Sequence, residues 1–510
     1  MFKIFLFVSS LLLSNSSYSD DFKNGANIAE QITALLELIL APIVNFLAFL
    51  FLGGEYSILG YDLTLTIFGF PFLVLWLIIG GIFFTFKLNF VNLRLFTHAI
   101  KVVRGKYEED SKDAPGKISH AQALFTAVSA TVGLGNIAGV AIAIAIGGPG
   151  AVIWMMIAAF FGMSTKFAEV TLGHKYRKFD NDGHLLAGPF YYLEAGLIKK
   201  NMPRLGKYLA KISAYCCVLG AIGAGLMFQA NQTVAIIADS FSLGSQSKLI
   251  LVSMITLSVA FILIGGIARI AKITEKIVPF MAITYVLCCL VILYCNIAQI
   301  PNAVKIMFSL AFSGSAIYGG VIGTIIQGIK RSAFSNEAGL GSAPIAHAAA
   351  KTKEPIREGA VAILEPFIDT IIICFMTGIV IIVTGVYNND SVSGVLTTKE
   401  AFATVSSWFP YLLSFVVFMF AFSTMLTYSY YGQQAWRFIT KKADYKICHI
   451  VFAFFIFVGG MLKIGVVIDF ADILFLSMAI PNLIGLYIMS GEIKDLTKSY
   501  ILRLKNNNFK

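Results

Sequence analysis

Apolar segments long enough to cross a lipid bilayer recur along this chain of 510 residues. Hydrophobic residues make up 57% of the chain and charged residues 13%, whereas a soluble domain has roughly 45–50% and 25%. A bilayer accepts this excess because each spanning helix takes about 20 apolar residues. The pattern therefore predicts an all-α polytopic membrane protein and excludes a soluble enzyme or a disordered chain. Eleven spans are predicted, at residues 63–86, 119–147, 149–173, 209–238, 249–267, 278–297, 305–329, 358–386, 411–436, 447–465 and 468–490.

The basic residues fall on alternate loops between these segments, as topology requires of cytoplasmic loops. Of the 39 Lys and Arg residues, 31 lie after the first, third, fifth, seventh and ninth predicted spans or in the tail 491–510. This alternation predicts a cell-membrane protein with a cytoplasmic C-terminus. The same rule explains the net charge of +11, so nucleic acid is not expected as a partner.

The chain before the first span divides into two parts. Residues 1–20 have a basic start, an apolar stretch and a small polar end, which predicts a signal peptide or an uncleaved anchor. Residues 21–118 contain a predicted interfacial helix at 27–52, the first span and a basic cytoplasmic loop.

The predicted span 119–147 contains glycines and a polar residue near its middle. Gly133, Gly135 and Asn136 follow Thr131 within six positions. Glycine costs up to about 1 kcal/mol in a helix interior, and a buried Asn must find hydrogen-bond partners. We therefore expect the helix to unwind here; close helix packing by small residues is the alternative.

The predicted span 305–329 contains a second stretch of this kind, with Ser313, Gly314 and Gly319. Paired interruptions in corresponding places of two halves indicate a transporter site. The halves would be residues 119–297 and 298–490, with five spans each and therefore opposite topology. We expect both interruptions to line one site near the bilayer centre.

An interrupted helix offers backbone amides to an anion and backbone carbonyls to a cation. A zwitterionic amino acid needs both kinds of partner. Ser423 and Thr424 add adjacent hydroxyls in the predicted span 411–436, and such oxygens suit a hard cation such as Na⁺. Ordinary bonding of these hydroxyls to the helix backbone is the alternative.

Four stretches of the sequence resemble the alanine or glycine:cation symporter family. They are TVGLGNIAGVAIAIAIGGPGA (131–151), FGMSTKFAE (161–169), MFQAN (227–231) and IKRSAFSNEAGLGSAPIAHAAAKT (329–352). The resemblance covers about residues 60–490 and implies a leucine-transporter fold, a 5+5 inverted repeat with one additional N-terminal helix. It also implies sodium-coupled import of a small neutral amino acid, with no cofactor besides Na⁺.

The resemblance also assigns site residues in this chain. For the substrate it implies Thr131, Gly133, Gly135, Asn136, Phe228, Gln229 and Asn231, to which the second interruption adds Ser313, Gly314 and Gly319. For sodium it implies Ser423 and Thr424, to which Thr131 and Leu134 of the first interruption are added. Tyr428 stands where related chains carry an indole, so the phenol is expected to shape the substrate pocket.

Two further features leave alternatives open. Glu365 replaces the glycine usual in this family, and it predicts either an intramembrane charge with proton dependence or a carboxylate facing water. Asn336 and Glu337 are predicted to form part of an inner gate, with Glu337 pairing a basic residue; a packed turn is the alternative. Lys166 and Glu169 are expected to pair with each other.

Other classes of membrane protein fit the sequence less well. An enzyme would need a nucleophile or metal motif, and neither HExxH nor GxSxG occurs. A channel would need repeated filter loops or acidic rings. Proton-coupled transport of a related zwitterion is the closest alternative, and the sequence sets no oligomeric state.

Overall fold

The computed structural model describes residues 28–53, 56–58, 61–63, 66–67, 69–107, 114–180, 183–262, 266–313, 319–389, 393–442, 444–506 and 509. The predicted signal peptide or anchor at residues 1–20 lies outside the described residues. In the described part, seven helices are long and apolar enough to cross a membrane, or eight if one bent pair counts as a span. The prediction of a multi-pass all-α membrane protein is confirmed.

The helices are α1 (Ile28–Leu52), α2 (Phe72–Lys87), α3 (Val91–Arg94), α4 (Phe96–Val103), α5 (His120–Thr131), α6 (Gly135–Gly147), α7 (Ala151–Lys175), α8 (Pro189–Lys199), α9 (Pro203–Ser240), α10 (Ser245–Ile262), α11 (Gly266–Cys295), α12 (Ile300–Ser313), α13 (Gly320–Asn336), α14 (Ala343–His347), α15 (Pro355–Val383), α16 (Val395–Ala403), α17 (Phe409–Thr440), α18 (Lys446–Met461), α19 (Ile464–Ile488) and α20 (Ser490–Lys505). Two small antiparallel hairpins pair β1 (Tyr56–Ile58) with β2 (Tyr61–Leu63) and β3 (Lys178–Phe179) with β4 (Leu185–Leu186).

Three of the long helices contain wider π-helical turns, which are common at functional sites. These turns cover Gly135–Gly139 in α6, Ala221–Met227 in α9 and Phe367–Cys374 in α15. Single 3₁₀ turns lie at Ile297–Gln299 and Val386–Asn388.

The first predicted interruption is present. Helix α5 ends at Thr131, α6 begins at Gly135, and the two axes differ by 53°. The start of α5 is fixed by a capping box in which Ser119 and Gln122 satisfy each other's backbone amides.

The second predicted interruption is misplaced, because the predicted span 305–329 straddles two separate helices. Its first part belongs to α12 and its second part to α13, which continues to Asn336. The chain then turns through Glu337, Gly339 and Gly341, whose φ angles are 61°, 92° and 82°. Left-handed backbone of this kind ends a helix, and α14 resumes only at Ala343.

This turn at residues 337–342 is buried inside the protein. The sequence predicted part of an inner gate or a packed turn here, and the turn lies between α13 and α14. The second interrupted helix therefore consists of α13 and α14, with the break at 337–342.

The first and last helices are each fixed to the rest of the protein by polar contacts. Helix α1 lies against the turn between α18 and α19, where Thr33 donates to the carbonyl of Met461 over 3.1 Å and Glu37 pairs with Lys463 at 3.1 Å. Helix α20 is held by two hydrogen bonds from Arg503 to Glu354, of 2.7 and 2.8 Å.

Candidate substrate and sodium site

The two interrupted helices meet at their breaks. A Cβ atom placed on Gly135 would lie 3.4 Å from the Phe334 ring and 3.5 Å from the Ser335 Cα atom. Phe334 and Ser335 form the last turn of α13, directly before its break. The absence of a side chain at Gly135 therefore lets the first break approach the second closely.

A buried carboxylate on α15 joins the two breaks. Asp369 accepts 2.6 Å hydrogen bonds from the Asn136 amide of α6 and from the Ser335 hydroxyl of α13. Its neighbour Thr370 donates to the same carboxylate over 2.7 Å and accepts from the Asn336 amide over 3.0 Å. All of these side chains are buried. Asp369 was not predicted as a site residue, although an acidic residue inside a predicted span is itself a signal of function.

Gly133, Gln229 and Thr424 converge beside the first break. A Cβ atom on Gly133 would lie 2.6 Å from the Thr424 hydroxyl oxygen and 3.2 Å from the Gln229 carboxamide oxygen. The Leu134 amide donates to that same Gln229 oxygen over 3.0 Å. The Gly133 amide donates to the Asn136 side chain over 2.9 Å. Side-chain oxygens thus accept hydrogen bonds from these backbone amides, and such amides can also bind a carboxylate.

Thr424 faces the last turn of α5, and its neighbour Ser423 bonds within α17. The Thr424 hydroxyl donates to the Ser129 carbonyl over 3.0 Å, and the Ser423 hydroxyl donates to the Phe420 carbonyl over the same distance. The Thr424 hydroxyl and the Ser129 carbonyl are therefore adjacent, whereas the Ser423 hydroxyl also contacts the Met281 sulfur at 3.8 Å. Neutral oxygens of this kind suit Na⁺. Ser129 was not predicted, because every residue has a backbone carbonyl and the sequence does not show which one will serve as a ligand.

The other two predicted sodium ligands have different partners. The Thr131 hydroxyl donates to the Val128 carbonyl over 3.3 Å. The Leu134 carbonyl accepts from the amides of Ile137 and Gly139, over 3.3 and 3.1 Å. Both oxygens are engaged within their own turn of chain.

A group of aromatic rings lies beside the breaks. The Phe334 ring centre is 5.1 Å from that of Phe228 and 5.4 Å from that of Phe475. The ring of Tyr428 lies 5.8 Å from Phe475, and its Cβ atom is 2.3 Å from the position of a Cβ atom on Gly225. Phe228 and Tyr428 therefore contribute to the wall around the breaks.

One helical turn before Phe334, a buried ion pair connects α13 to α19. Arg331 pairs with Asp472, and Lys330 approaches the same carboxylate to 2.7 Å. The Arg331 guanidinium also lies 5.2 Å from the centre of the Phe334 ring. The seventh predicted span ends at residue 329, whereas α13 continues to Asn336 and includes both basic residues.

Several predicted substrate residues lie away from this meeting point. Asn231 donates to the carbonyls of Gly459 and Leu462, over 3.0 and 2.7 Å, and so caps the end of α18. Ser313 ends α12, is exposed and donates to Ser309 over 2.6 Å. Gly319 is exposed at the start of α13. Gly314 lies outside the described residues. The misplaced second interruption explains the positions of Ser313 and Gly319.

The predicted gate residues lie in the second interruption. Asn336 donates to Ser332 and Thr370, both over 3.0 Å, and accepts from the Ala338 amide. Glu337 accepts from Ser342. The expected pairing of Glu337 with a basic residue is replaced by this hydrogen bond within the turn.

Lys166 and Glu169 also have different partners from those expected. Lys166 pairs with Glu365 at 3.2 Å. Glu169 accepts from the Gly339 amide over 3.2 Å and from Asn482 over 3.0 Å. Glu365 is fully buried, which excludes the water-facing alternative for this carboxylate.

The chain matches the sodium:alanine symporter family over residues 60–510. It is 40% identical to the sodium/alanine symporter AgcS of Methanococcus maripaludis over 434 residues, which cover 84% of this chain and 94% of that protein. It is 33% identical to the probable sodium/glutamine symporter GlnT of Bacillus subtilis, over 85% of this chain and 88% of that protein. The solved structure of MhsT in complex with L-phenylalanine matches with a TM-score of 0.53 at 14% identity, over 73% of this chain and 88% of MhsT.

These comparisons confirm two predictions. MhsT has the leucine-transporter fold, so this fold is shared by the present chain. The named relatives are symporters of sodium and amino acids and not enzymes. With the motifs, the interrupted helices and the family match in agreement, this chain belongs to the sodium:alanine symporter family.

Proposed function

We propose that this protein imports a small neutral amino acid, alanine or glycine, together with Na⁺ by alternating access. The observation that carries the proposal is the convergence of Gly133, Gln229 and Thr424 beside the first interruption. In this arrangement, amides that would bind a carboxylate would lie next to oxygens that would bind sodium. The coupling ion is the only cofactor proposed.

The substrate carboxylate would bind at the amides of residues 133–136. Gln229 would exchange its bond to the Leu134 amide for a donated bond to the carboxylate, because its carboxamide can both accept and donate. The carboxamide nitrogen at present donates to the Ala224 carbonyl over 3.1 Å, so this exchange needs only a local rotation.

The aromatic rings support a small substrate. Phe334 packs against the first break and Phe228 packs against Phe334, so we expect the space for a substrate side chain to be narrow. A methyl group or a hydrogen fits such a wall, and each additional methylene would meet a ring.

Sodium would bind between α5 and α17. The hydroxyl hydrogens of Ser423 and Thr424 would turn away, so that their oxygens and the carbonyls of Ser129 and Phe420 face the ion. Because α5 and α17 both supply ligands, the ion binds better when they are close together. Such differential affinity is what couples an ion to a conformational state.

The alternating basic loops support a cell-membrane location with a cytoplasmic C-terminus. In that orientation α13 runs inward, which places the Arg331–Asp472 pair on the outer side of Phe334. Movement of this ion pair over the aromatic rings would close the substrate site to the outside of the cell. Separation of α5 from α14 would open a path from the substrate site to the cytoplasm, which we call the inner path. We propose that α5/α6 and α13/α14 each begin one five-helix half, preceded by α2.

Uptake by purified protein in proteoliposomes tests this proposal. Radiolabelled alanine, glycine and serine are supplied in turn with an inward gradient of sodium, of lithium or of protons. We expect saturable accumulation of alanine or glycine with sodium alone. Accumulation with a proton gradient alone would support the proton-coupled alternative, and uptake without saturation would indicate a channel.

A further inference from the structure

A histidine in α14 lies between two carboxylates. The His347 Nδ1 atom is 2.6 Å from a Glu358 carboxylate oxygen, and its Nε2 atom is 2.6 Å from a Glu365 carboxylate oxygen. All three side chains are completely buried. Neither the substrate nor the sodium site described above uses them.

Hydrogen-bond chemistry restricts the protonation of this group. A neutral imidazole has one N–H donor and one acceptor, whereas an ionised carboxylate only accepts. With both ring nitrogens at hydrogen-bond distance from carboxylates, a neutral ring would set a lone pair against an anion. Both contacts are satisfied when the ring carries two N–H groups. We propose that His347, Glu358 and Glu365 form a proton-binding site in which the bound proton makes His347 an imidazolium.

The charged and titratable groups around His347 come from every helix packed on α14. They are His120 on α5, Lys166, Glu169 and His174 on α7, Arg177 after α7, Glu337 at the second interruption, Arg357, Glu358 and Glu365 on α15, and Tyr428 and Tyr431 on α17.

Two of the arginines are directed at other acceptors. Arg177 donates to the carbonyls of Ala348, Ala350 and Thr352. Arg357 donates to the Tyr107 carbonyl over 3.3 Å. Four carboxylates, at positions 169, 337, 358 and 365, therefore face Lys166, His120 and His347. Removal of a proton from His347 would leave more of this buried negative charge without compensation.

The site joins the segments that line the inner path. Glu358 also pairs with His120 at the start of α5, and Glu365 also pairs with Lys166 on α7. Basic and acidic side chains therefore alternate in the order His120, Glu358, His347, Glu365 and Lys166. These contacts connect α5, α14 and α7 to α15. Where α5 and α14 part, as the proposed function requires, water reaches His347, the proton passes to that water, and the ring becomes neutral imidazole.

Nitrogen-15 NMR of the histidine rings tests the proton site without substrate or transport, so its outcome is independent of the proposed function. Full-length protein with labelled histidine is reconstituted in lipid nanodiscs at pH 8. We expect an imidazolium signal from His347. We expect that signal to be lost in Glu365→Gln, because the introduced carboxamide can donate to a neutral ring. The matched control Glu354→Gln, at the ion pair with Arg503, should keep the signal.

His98 provides an internal reference for the neutral ring. It lies in α4, outside the spans, where burial and then the charge of Arg357 lower the pKa of His98 to about 4. Its ring should give a neutral signal at pH 8 in every variant. His347→Gln and His120→Gln assign the signals of these two rings. If His347→Gln does not fold, the difference between wild type and Glu365→Gln gives the assignment. A neutral His347 ring in the wild type, or an imidazolium that persists in Glu365→Gln, would overturn the proposal.

Discussion

The Thr424 hydroxyl donates to the Ser129 carbonyl over 3.0 Å and so bridges α17 and the end of α5, although 295 positions separate the two residues in the chain. Ser129 forms a second hydrogen bond between the same helices, in which its hydroxyl donates to the Ser423 carbonyl over 3.1 Å. This reciprocal pair ties the first interrupted helix to the helix that carries the proposed sodium ligands. An ion bound there would stabilise the same junction.

Replacement of Thr424 by alanine should weaken sodium activation. A bond to a charged group is worth about 1.5–3 kcal/mol, so the sodium concentration for half-maximal uptake should rise about tenfold or more. Sodium titration of alanine uptake in proteoliposomes measures this shift. Thr424→Ser keeps the oxygen and should stay close to the wild type. An unchanged sodium titration in Thr424→Ala would remove Thr424 from the site.

A methyl group at Gly133 should abolish transport. It would lie 2.6 Å from the Thr424 oxygen and 3.2 Å from the Gln229 oxygen, too close for either neighbour to keep its position. We expect Gly133→Ala to reach the membrane but to take up no alanine. Gly139→Ala is the matched control, since nothing lies within 4 Å of that position. Normal uptake by Gly133→Ala would show that the convergence is not the substrate site.

The sequence was sufficient for the fold and for the first interruption, because glycines and Asn136 inside an apolar segment disfavour a straight helix locally. The second interruption was misplaced because hydrophobicity alone does not show that α12 ends at Ser313 and that α13 begins at Gly320. Residues 337–342 contain Glu337 and Ser342, yet they are buried by contacts with distant helices, as Glu169 and Asn482 show at Gly339.

The contact partners of the predicted site residues could not be predicted either, because these contacts join residues far apart in the chain. Asp369 meets Asn136 across 233 positions, and Ser129 contributes a backbone oxygen that every residue possesses. The roles of Gln229 and Asn231 could not be separated either. They stand two positions apart on α9, and only the packing shows that one faces the first break and the other faces α18.

This difference predicts opposite phenotypes for the two amides. Gln229→Ala removes the carboxamide that would donate to the substrate carboxylate, so the KM for alanine should rise about tenfold, which corresponds to about 1.4 kcal/mol. Uptake at varied alanine concentration and saturating sodium measures it.

Asn231→Ala instead frees two buried carbonyls and should reduce stability by about 1–3 kcal/mol. Thermal unfolding in detergent should show a lower midpoint, while the KM of the folded fraction stays unchanged. A raised KM in Asn231→Ala, with Gln229→Ala unaffected, would reverse the assignment of the two residues.

The proton site predicts that transport depends on the pH at the cytoplasmic face. A proton on His347 ties α5, α14 and α7 to α15, so it stabilises the state in which the inner path is shut. As the cytoplasmic pH rises the proton leaves more readily, and the rate of opening should increase, by at most about tenfold per pH unit for one proton. Alanine entry into inside-out vesicles, whose outer surface is the cytoplasmic face, measures this rate between pH 6 and 8. In Glu365→Gln the rate should become nearly independent of this pH, because the introduced carboxamide bonds to a neutral His347 ring. Glu354→Gln should keep the wild-type slope, and an equal slope in Glu365→Gln would show that some other group senses the pH.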